Sequence, residues 1–488
     1  MSLAPRLKSD RNAVPQILLD RIRQVVGDTG CITDPEAQRP HLVEWRDLFT
    51  GKTPMVVKPA SVEEVVAVVK LCGEYGVPIV PQGGNTSLVG ASLPFEHGGE
   101  IVLSLQRMNR ILDIDPLNYT MTVEAGVVLQ TIQQAASDAD RLFPLSLGAE
   151  GSCLIGGNLS TNAGGIQVLH YGNARNLVLG LEVVMADGQV WDGLRSLKKD
   201  NTGYDLKQLF MGAEGTLGII TKAVLKLFPK PKDIATAFIA VPNPKIAVEI
   251  LSAAREASED NVTSFEFMGR LGLDFTLRHT PGIVDPLSER HEWYVLMEWS
   301  SPRVPDGRDG GLKDKMEAFL GDMLERGKVL DAAPAQSDAQ RAAFWKIREA
   351  YSGAQKPEGG SIKHDVSVAV AKMPEFLERA TAAVLKAIPD GRVVAFGHLG
   401  DGNAHFNVSQ PEGGDREKFL ARWDEINRIV HDIVVEMNGS ISAEHGIGRM
   451  KVEELEHYRP GIELELMRKI KRALDPDNLL NPHKVIEV

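Results

Sequence analysis

The dipeptide Asp401-Gly402 constrains this chain more than any other pair of residues. It lies between an apolar run at 393–396 and an alternating run at 403–408, the pattern of an antiparallel hairpin closed by a two-residue turn. That register sets Gly400 opposite Asn403 and His398 directly opposite His405. Cross-strand β-carbons lie about 4.5–5.5 Å apart, so both imidazoles can hold one metal ion. Asn407, two residues beyond His405, points to the same face. A carboxylate such as Glu444, in SAEHGIG, completes a His2Glu set with an open position, which is how catalytic zinc sites are built. Imidazole and carboxylate also accept Mn2+, Fe2+ or Co2+. Among 12 histidines in 488 residues, a bare pair seven apart is a weak signal. The surrounding glycines and the Glu444-His445 pair strengthen it. Adjacent strand residues face opposite ways, so Glu444 and His445 share a site only where Gly446 and Gly448 bend the chain or the segment is a loop.

A chain of 488 residues suggests about three domains at ~150 residues each, or two large ones with insertions. Its 43% hydrophobic content is enough for sizeable cores. A net charge of −12 speaks against nucleic acid as the main partner, because phosphate contact needs a basic footprint. Cys31, Cys72 and Cys153 are widely spaced with no C-x-x-C, which suggests a reducing compartment and no thiolate metal site. The first residues lack an apolar core of signal type. No window approaches 18 uninterrupted apolar residues, so no transmembrane segment is expected. A cytoplasmic protein is the expectation.

Residues 55–57 read as a strand. Ser61 with Glu64 forms a capping box that opens a helix, with Val62, Val65, Val66 and Val69 along one stripe. Residues 77–80 are the next strand and run into PQGGNTSLVG, a β-α-β unit ending in a glycine-rich loop. Short strands follow at 101–105, 111–115 and 120–124. Composition shifts around Pro229 and Pro231, a domain boundary. Residues 300–311 read as an exposed loop, 415–437 as a helix stopped by Asn438-Gly439, and 462–474 as the last helix.

Gly83 and Gly84 let backbone approach an anion and aim amides at it, with Asn85, Thr86 and Ser87 as side-chain donors. GAEGSCLIGGNLSTNAGG, residues 148–165, repeats the theme. Such loops suit a diphosphate-bearing cofactor. No G-x-G-x-x-G and no G-x-x-x-x-G-K-[ST] occurs, so neither a Rossmann site nor a P-loop holds it.

The segments at 81–90, 144–165, 199–221 (KDNTGYDLKQLFMGAEGTLGIIT), 397–407 (GHLGDGNAHFN), 442–448 (SAEHGIG) and 474–482 (LDPDNLLNP) resemble the flavoproteins of the vanillyl-alcohol oxidase/para-cresol methylhydroxylase (PCMH) fold. Within that family the resemblance is closest to the D-2-hydroxyglutarate and D-lactate dehydrogenases, and the run at 199–221 is most like the former. The resemblance implies a two-domain α+β protein. Residues 1–230 form a PCMH-type FAD-binding domain with an N-terminal helical extension. Residues 231–440 form an α+β substrate-binding domain of the FAD-linked oxidase C-terminal type, carrying the metal hairpin. Residues 441–488 return to the FAD domain.

It further implies FAD contacts at Pro81, Gly83, Gly84, Asn85, Thr86, Ser87, Pro144, Gly148, Ser152, Gly157, Asn158, Thr161, Gly165, Ile219 and Asn481. The first loop has Gln82 and Asn85 where relatives with covalent flavin carry a histidine, so FAD is expected to be non-covalent. His483 stands where relatives have glycine. The metal ligands are implied to be His398, His405 and Glu444, with His445 as catalytic base. Arg348, Ser352, Lys363, Asn407 and His445 are the implied substrate contacts, with Ser352 in place of a threonine. Arginine suits a bidentate carboxylate grip. The implied chemistry is a zinc-assisted loss of the α-hydroxyl proton to His445, with hydride passing from Cα to flavin N5 to leave a 2-oxo acid. D-2-hydroxyglutarate is the expected substrate. D-lactate, D-malate or a glycolate oxidase-type subunit are the alternatives. The expected acceptor is an electron-transfer flavoprotein or a quinone, and the expected assembly a homodimer.

Overall fold

The structure, a computed structural model, describes residues 13–306 and 310–488. The chain forms two compact units. The middle unit comprises Lys230–Ala443 with Gly165–Gly172, and the flanking unit comprises the described residues up to Gly164, Asn173–Pro229 and Glu444–Val488.

The middle unit is built on a seven-stranded sheet in the order Asp331–Pro334, Asp233–Val241, Trp293–Ser301, Val262–Gly269, Arg392–His398, Asn403–Ser409, Ser361–Ser367, with every neighbouring pair antiparallel. Its central strands are buried on both faces, since helices pack on each side. One face is covered by the helix Asp338–Gly353, whose side chains Phe344, Trp345, Ile347 and Tyr351 join Phe238, Met268, Tyr294, Leu296, Val394 and Phe396 in one apolar cluster. Ser337 caps that helix by accepting from Gln340 N at 3.2 Å.

Side-chain alternation decides what else reaches this face. Glu266 pairs with His398, Phe396 with His405, Asp365 with His405, and Lys363 with Asn407. Cross-strand partners share a face, so Glu266, His398, His405, Asn407, Asp365 and Lys363 all stand on the side covered by the helix Asp338–Gly353.

In the flanking unit, Ser61 caps the helix Val62–Tyr75 by accepting from Glu64 N at 3.3 Å, while Glu64 reaches back to Ala60 N at 2.7 Å. The strand Ile79–Gln82 follows, in a four-stranded sheet with parallel pairing to Ile101–Ser104. A five-stranded antiparallel sheet holds Ile111–Asp115, Thr120–Glu124, Ile219–Lys226, Val178–Val184 and Val190–Gly193. Strands expected at 111–115 and 120–124 and the helix at 462–474 have the expected bounds. The Leu480 backbone pairs with Ile79, which brings the chain's last segment onto that strand.

Two expectations need correction. The helix expected over 415–437 is two, Arg416–Leu420 and Trp423–Glu436, because Arg422 leaves the helical path and its guanidinium engages Ala387 O and Glu425. The second helix ends as expected, with Asn438 at φ 58°. The loop expected at 300–311 begins later, since the strand runs to Ser301, and residues 307–309 lie outside the described ones. Among the described residues no helix is long and apolar enough to cross a membrane.

Candidate active site

The hairpin exists, but its register differs from the expected one. The connection is four residues, Leu399 to Gly402, and His405 pairs with Phe396 rather than with His398. Asp401 N and Gly402 N bond back to His398 O and Leu399 O at 3.3 Å each, which forms the wider turn. A shift of two residues preserves the face of every side chain, whereas a shift of one would reverse it. His398 and His405 therefore still converge, diagonally, with ring centroids 5.5 Å apart and planes at 78°. Gly397 makes the turn possible. It sits at φ 154°, and a β-carbon there would lie 2.5 Å from Asn403 O.

Beneath the two imidazoles lies a carboxylate that the motifs did not single out. Glu266 is 1% exposed, and its Oε1 is 2.8 Å from His398 Nδ1 while its Oε2 accepts from Arg348 Nε at 2.8 Å. Burial alone would raise this carboxyl, but the neighbouring His398 and Arg348 hold it below the usual carboxylate range. Arg348 is correspondingly not a solvated surface charge. It is 8% exposed and packs over the Phe396 ring at 4.9 Å. Its Nη2 lies 2.8 Å from Glu266 Oε2, but no N–H on it points at an acceptor, so this buried nitrogen has no hydrogen bond.

Spacing on the helix Asp338–Gly353 explains the rest. Arg341, Trp345, Arg348 and Ser352 fall on one stripe. Arg341 and Trp345 bind the buried Glu298, Arg348 binds Glu266, and Ser352 lies exposed beyond them. Lys363 donates to Ser352 O at 3.3 Å. Asn407 is buried and donates to Gln355 Oε1 at 3.0 Å. Asp365, also missed from the sequence, has Oδ1 3.8 Å from His405 Nδ1 and accepts from Asn403 Nδ2 at 2.9 Å. A lone carboxylate within each apolar strand, SFEFMG and IKHDVSV, was the available signal. The His405 imidazole and the Asp365 carboxylate on this face are donor types that a divalent cation takes.

The Glu444-His445 pair belongs to the flanking unit and follows Ala443, whose N–H donates to Asp365 O at 3.2 Å within the middle unit. The segment is no strand. Gly446 at φ 83° and Gly448 at φ 55° bend it, and Glu444 Oε1 lies 3.9 Å from His445 Nε2. The two side chains thus approach each other, which strand alternation would have prevented. Glu214 ties this bend down by accepting from Ile447 N at 2.7 Å and Gly448 N at 2.8 Å. Burial pushes its carboxyl up to about 7.

The glycine loops fit a large anionic cofactor. A β-carbon on Gly84 would lie 2.2 Å from Ser152 O, and one on Gly83 would lie 3.3 Å from Gly157 Cα, so the two loops touch backbone to backbone. Gly148 has no heavy atom within 4 Å of where its β-carbon would be, and the buried Asn158 Oδ1 has no hydrogen-bond partner. The side chains divide differently from the expectation. Asn85 donates to Pro40 O and Val43 O at 2.9 and 3.0 Å, and Gln82 donates to His41 O and Ser92 O, so both brace the loop. Ser87 Oγ accepts from Val89 N, Ser152 Oγ and Thr161 Oγ1 donate to Ala149 O and Gly157 O, and Pro144 is buried. Ile219 is 1% exposed within its strand, and Asn481 spends its amide on Ala91 O and Glu214 O. Pro81 packs near Gly215, and Gly165 begins the short segment of the middle unit.

Residues 230–485 match the family model described as FAD linked oxidases, C-terminal domain, and residues 53–193 match an FAD binding domain. The D-2-hydroxyglutarate dehydrogenase of Xanthomonas citri pv. viticola is 38% identical over 483 residues, which cover 99% of this chain and 97% of that protein. The D-2-hydroxyglutarate–pyruvate transhydrogenase of Saccharomyces cerevisiae is 36% identical over 461 residues, 93% of this chain and 90% of that one. The solved structure of p-cresol methylhydroxylase with substrate bound superposes with a TM-score of 0.76 at 18% identity, over 97% of each chain, and shares the fold.

Proposed function

We propose that this chain, which belongs to the FAD-linked oxidases and is an FAD-linked oxidoreductase acting on CH–OH donors, oxidises D-2-hydroxyglutarate to its 2-oxo acid with the help of a divalent cation. The observation that carries this reading is the single sheet face bearing His398, His405, Asn407 and Lys363 under Arg348: ligand imidazoles beside two cations suited to a dicarboxylate.

In this reading His398, His405 and Glu444 hold the cation, Zn2+ foremost, and the two glycine loops hold FAD non-covalently. When bound, FAD supplies a hydride acceptor at N5 and the cation supplies Lewis acidity toward an α-hydroxyl. His445 takes the hydroxyl proton on a ring nitrogen, since imidazole titrates near operating pH. Arg348 offers Nη2 and Lys363 its ammonium to the substrate carboxylates, while Asn407 and Ser352 line the same end of the face. Asp365 braces His405 from the neighbouring strand. D-lactate and D-malate are the competing substrates, and a glycolate oxidase-type subunit is the competing enzyme. Electrons leave to an electron-transfer flavoprotein or a quinone. The yeast relative's name adds a 2-oxo acid as a further class of acceptor.

The test is anaerobic reduction of the bound flavin by D- and L-forms of 2-hydroxyglutarate, malate and lactate, and by glycolate. Fastest bleaching by D-2-hydroxyglutarate supports the reading. Bleaching by glycolate or D-lactate alone replaces the substrate, and peroxide formation in air identifies an oxidase.

A further inference from the structure

We infer that Glu266 is a positioning residue that orients both halves of the site at once, holding His398 as the Nδ1–H tautomer and fixing the Arg348 guanidinium over the same sheet face. The inference rests on the proposed function, since it concerns His398 as a cation ligand and Arg348 as a carboxylate contact.

A neutral imidazole that donates from Nδ1 carries its lone pair on Nε2. The 2.8 Å contact between Glu266 Oε1 and His398 Nδ1 therefore selects the ligating nitrogen. Carboxylates that hold ligand histidines in this way fix ring orientation and raise ligand basicity. The other oxygen, Oε2, takes Arg348 Nε at 2.8 Å and leaves Nη2 without a hydrogen bond. A single carboxylate thus sets the tautomer of one group and the rotamer of the other.

A plain structural ion pair is the competing account, and the same sheet face supplies a comparison. Glu298 is 2% exposed and is bound by Arg341 and Trp345 of the helix and by Thr236 of the neighbouring strand, so it serves only to tie the helix to the sheet. Glu266 instead joins that helix to a hairpin histidine four residues before the turn closes at Gly402. Buried ion pairs are weak grounds for stability, because an apolar pair of similar volume often does as well. Orientation is what an apolar pair could not supply.

The test uses FAD-loaded protein stripped of metal and titrated with Zn2+ against a chromogenic chelator, with thermal midpoints measured alongside. Wild type is expected to bind one Zn2+ per chain, and His398→Ala to lose it. Glu266→Gln is expected to bind about 10–100-fold more weakly, with a raised KM for the dicarboxylate. Glu266→Asp keeps the negative charge but draws both oxygens back from His398 Nδ1 and Arg348 Nε. It is expected to stay folded and still bind Zn2+ more weakly, which preserves the test should Glu266→Gln not fold. Glu266 variants that lose thermal stability yet bind Zn2+ as wild type does would show a merely structural pair and overturn the inference alone. A wild type that binds no cation would overturn the metal part of the proposed function, and this inference with it.

Discussion

At the scale of single residues, charge burial separates what a substitution does to binding from what it does to the fold. Arg348→Ala removes the carboxylate contact proposed for this residue and also strands Glu266, 1% exposed, without its cation. Breaking one side of a buried pair costs about 3–5 kcal/mol, so the variant is expected to lose both apparent affinity for dicarboxylates and several degrees of melting temperature. Unchanged affinity for every dicarboxylate would contradict the role given to Arg348. Lys363 is half-buried at the open end of the face, so Lys363→Met is expected to raise KM for D-2-hydroxyglutarate with little change in melting temperature. Glu214 gives a pH signature. Its folded pKa of about 7 stands above the ordinary 4.5, so the folded state holds the extra proton between those values. Stability from this group is full below pH 4.5 and is lost as pH rises through about 7. Melting curves across that range are expected to show the decline in wild type and a flatter profile in Glu214→Gln. Equal slopes would remove the assignment. From the sequence, the types of the site residues were legible, but Glu266 and Asp365 were not. Each sits alone in an apolar strand, where its meaning comes from a partner 132 residues away in the one case and on the neighbouring strand in the other.

At the scale of elements, the hairpin shows which local rules carry over and which do not. Asp401-Gly402 marked the turn correctly but not its length. A two-residue turn and the observed four-residue one share the same strand alternation, so the predicted face survived the wrong register. The bend at Gly446 and Gly448 was legible for the opposite reason: glycine readily takes the positive φ that ends strand alternation, and both residues adopt it. Gly397→Ala tests the hairpin directly. Its β-carbon would meet Asn403 O at 2.5 Å, a rigid backbone atom, so a cost of about 1–3 kcal/mol is expected together with weakened cation binding. Gly400→Ala meets only the flexible Leu169 side chain and is the milder control. Equal effects from the two would mean that the turn geometry does not set the imidazole pair.

At the scale of the whole molecule, the chain divides its candidate site residues between its two units. Backbone-rich glycine loops braced by Gln82 and Asn85 lie in the flanking unit with Glu444 and His445, while His398, His405 and the buried Arg348 belong to the middle unit. Long ordered motifs made the fold readable, and several of them span loops with glycines, such as Gly84 and Gly397, whose β-carbons would strike backbone oxygen. The pairing of strands distant in the chain, which puts Glu266 beside His398, is set by tertiary packing and left no local trace. The most direct measurement is stopped-flow reduction of the bound flavin by D-2-hydroxyglutarate without oxygen, in protein with its metal and after chelation. The account predicts rapid bleaching that chelation abolishes and added Zn2+ restores, with no response to the L-form. Protein that holds FAD and is bleached by no 2-hydroxy acid, or bleached equally after chelation, would contradict it.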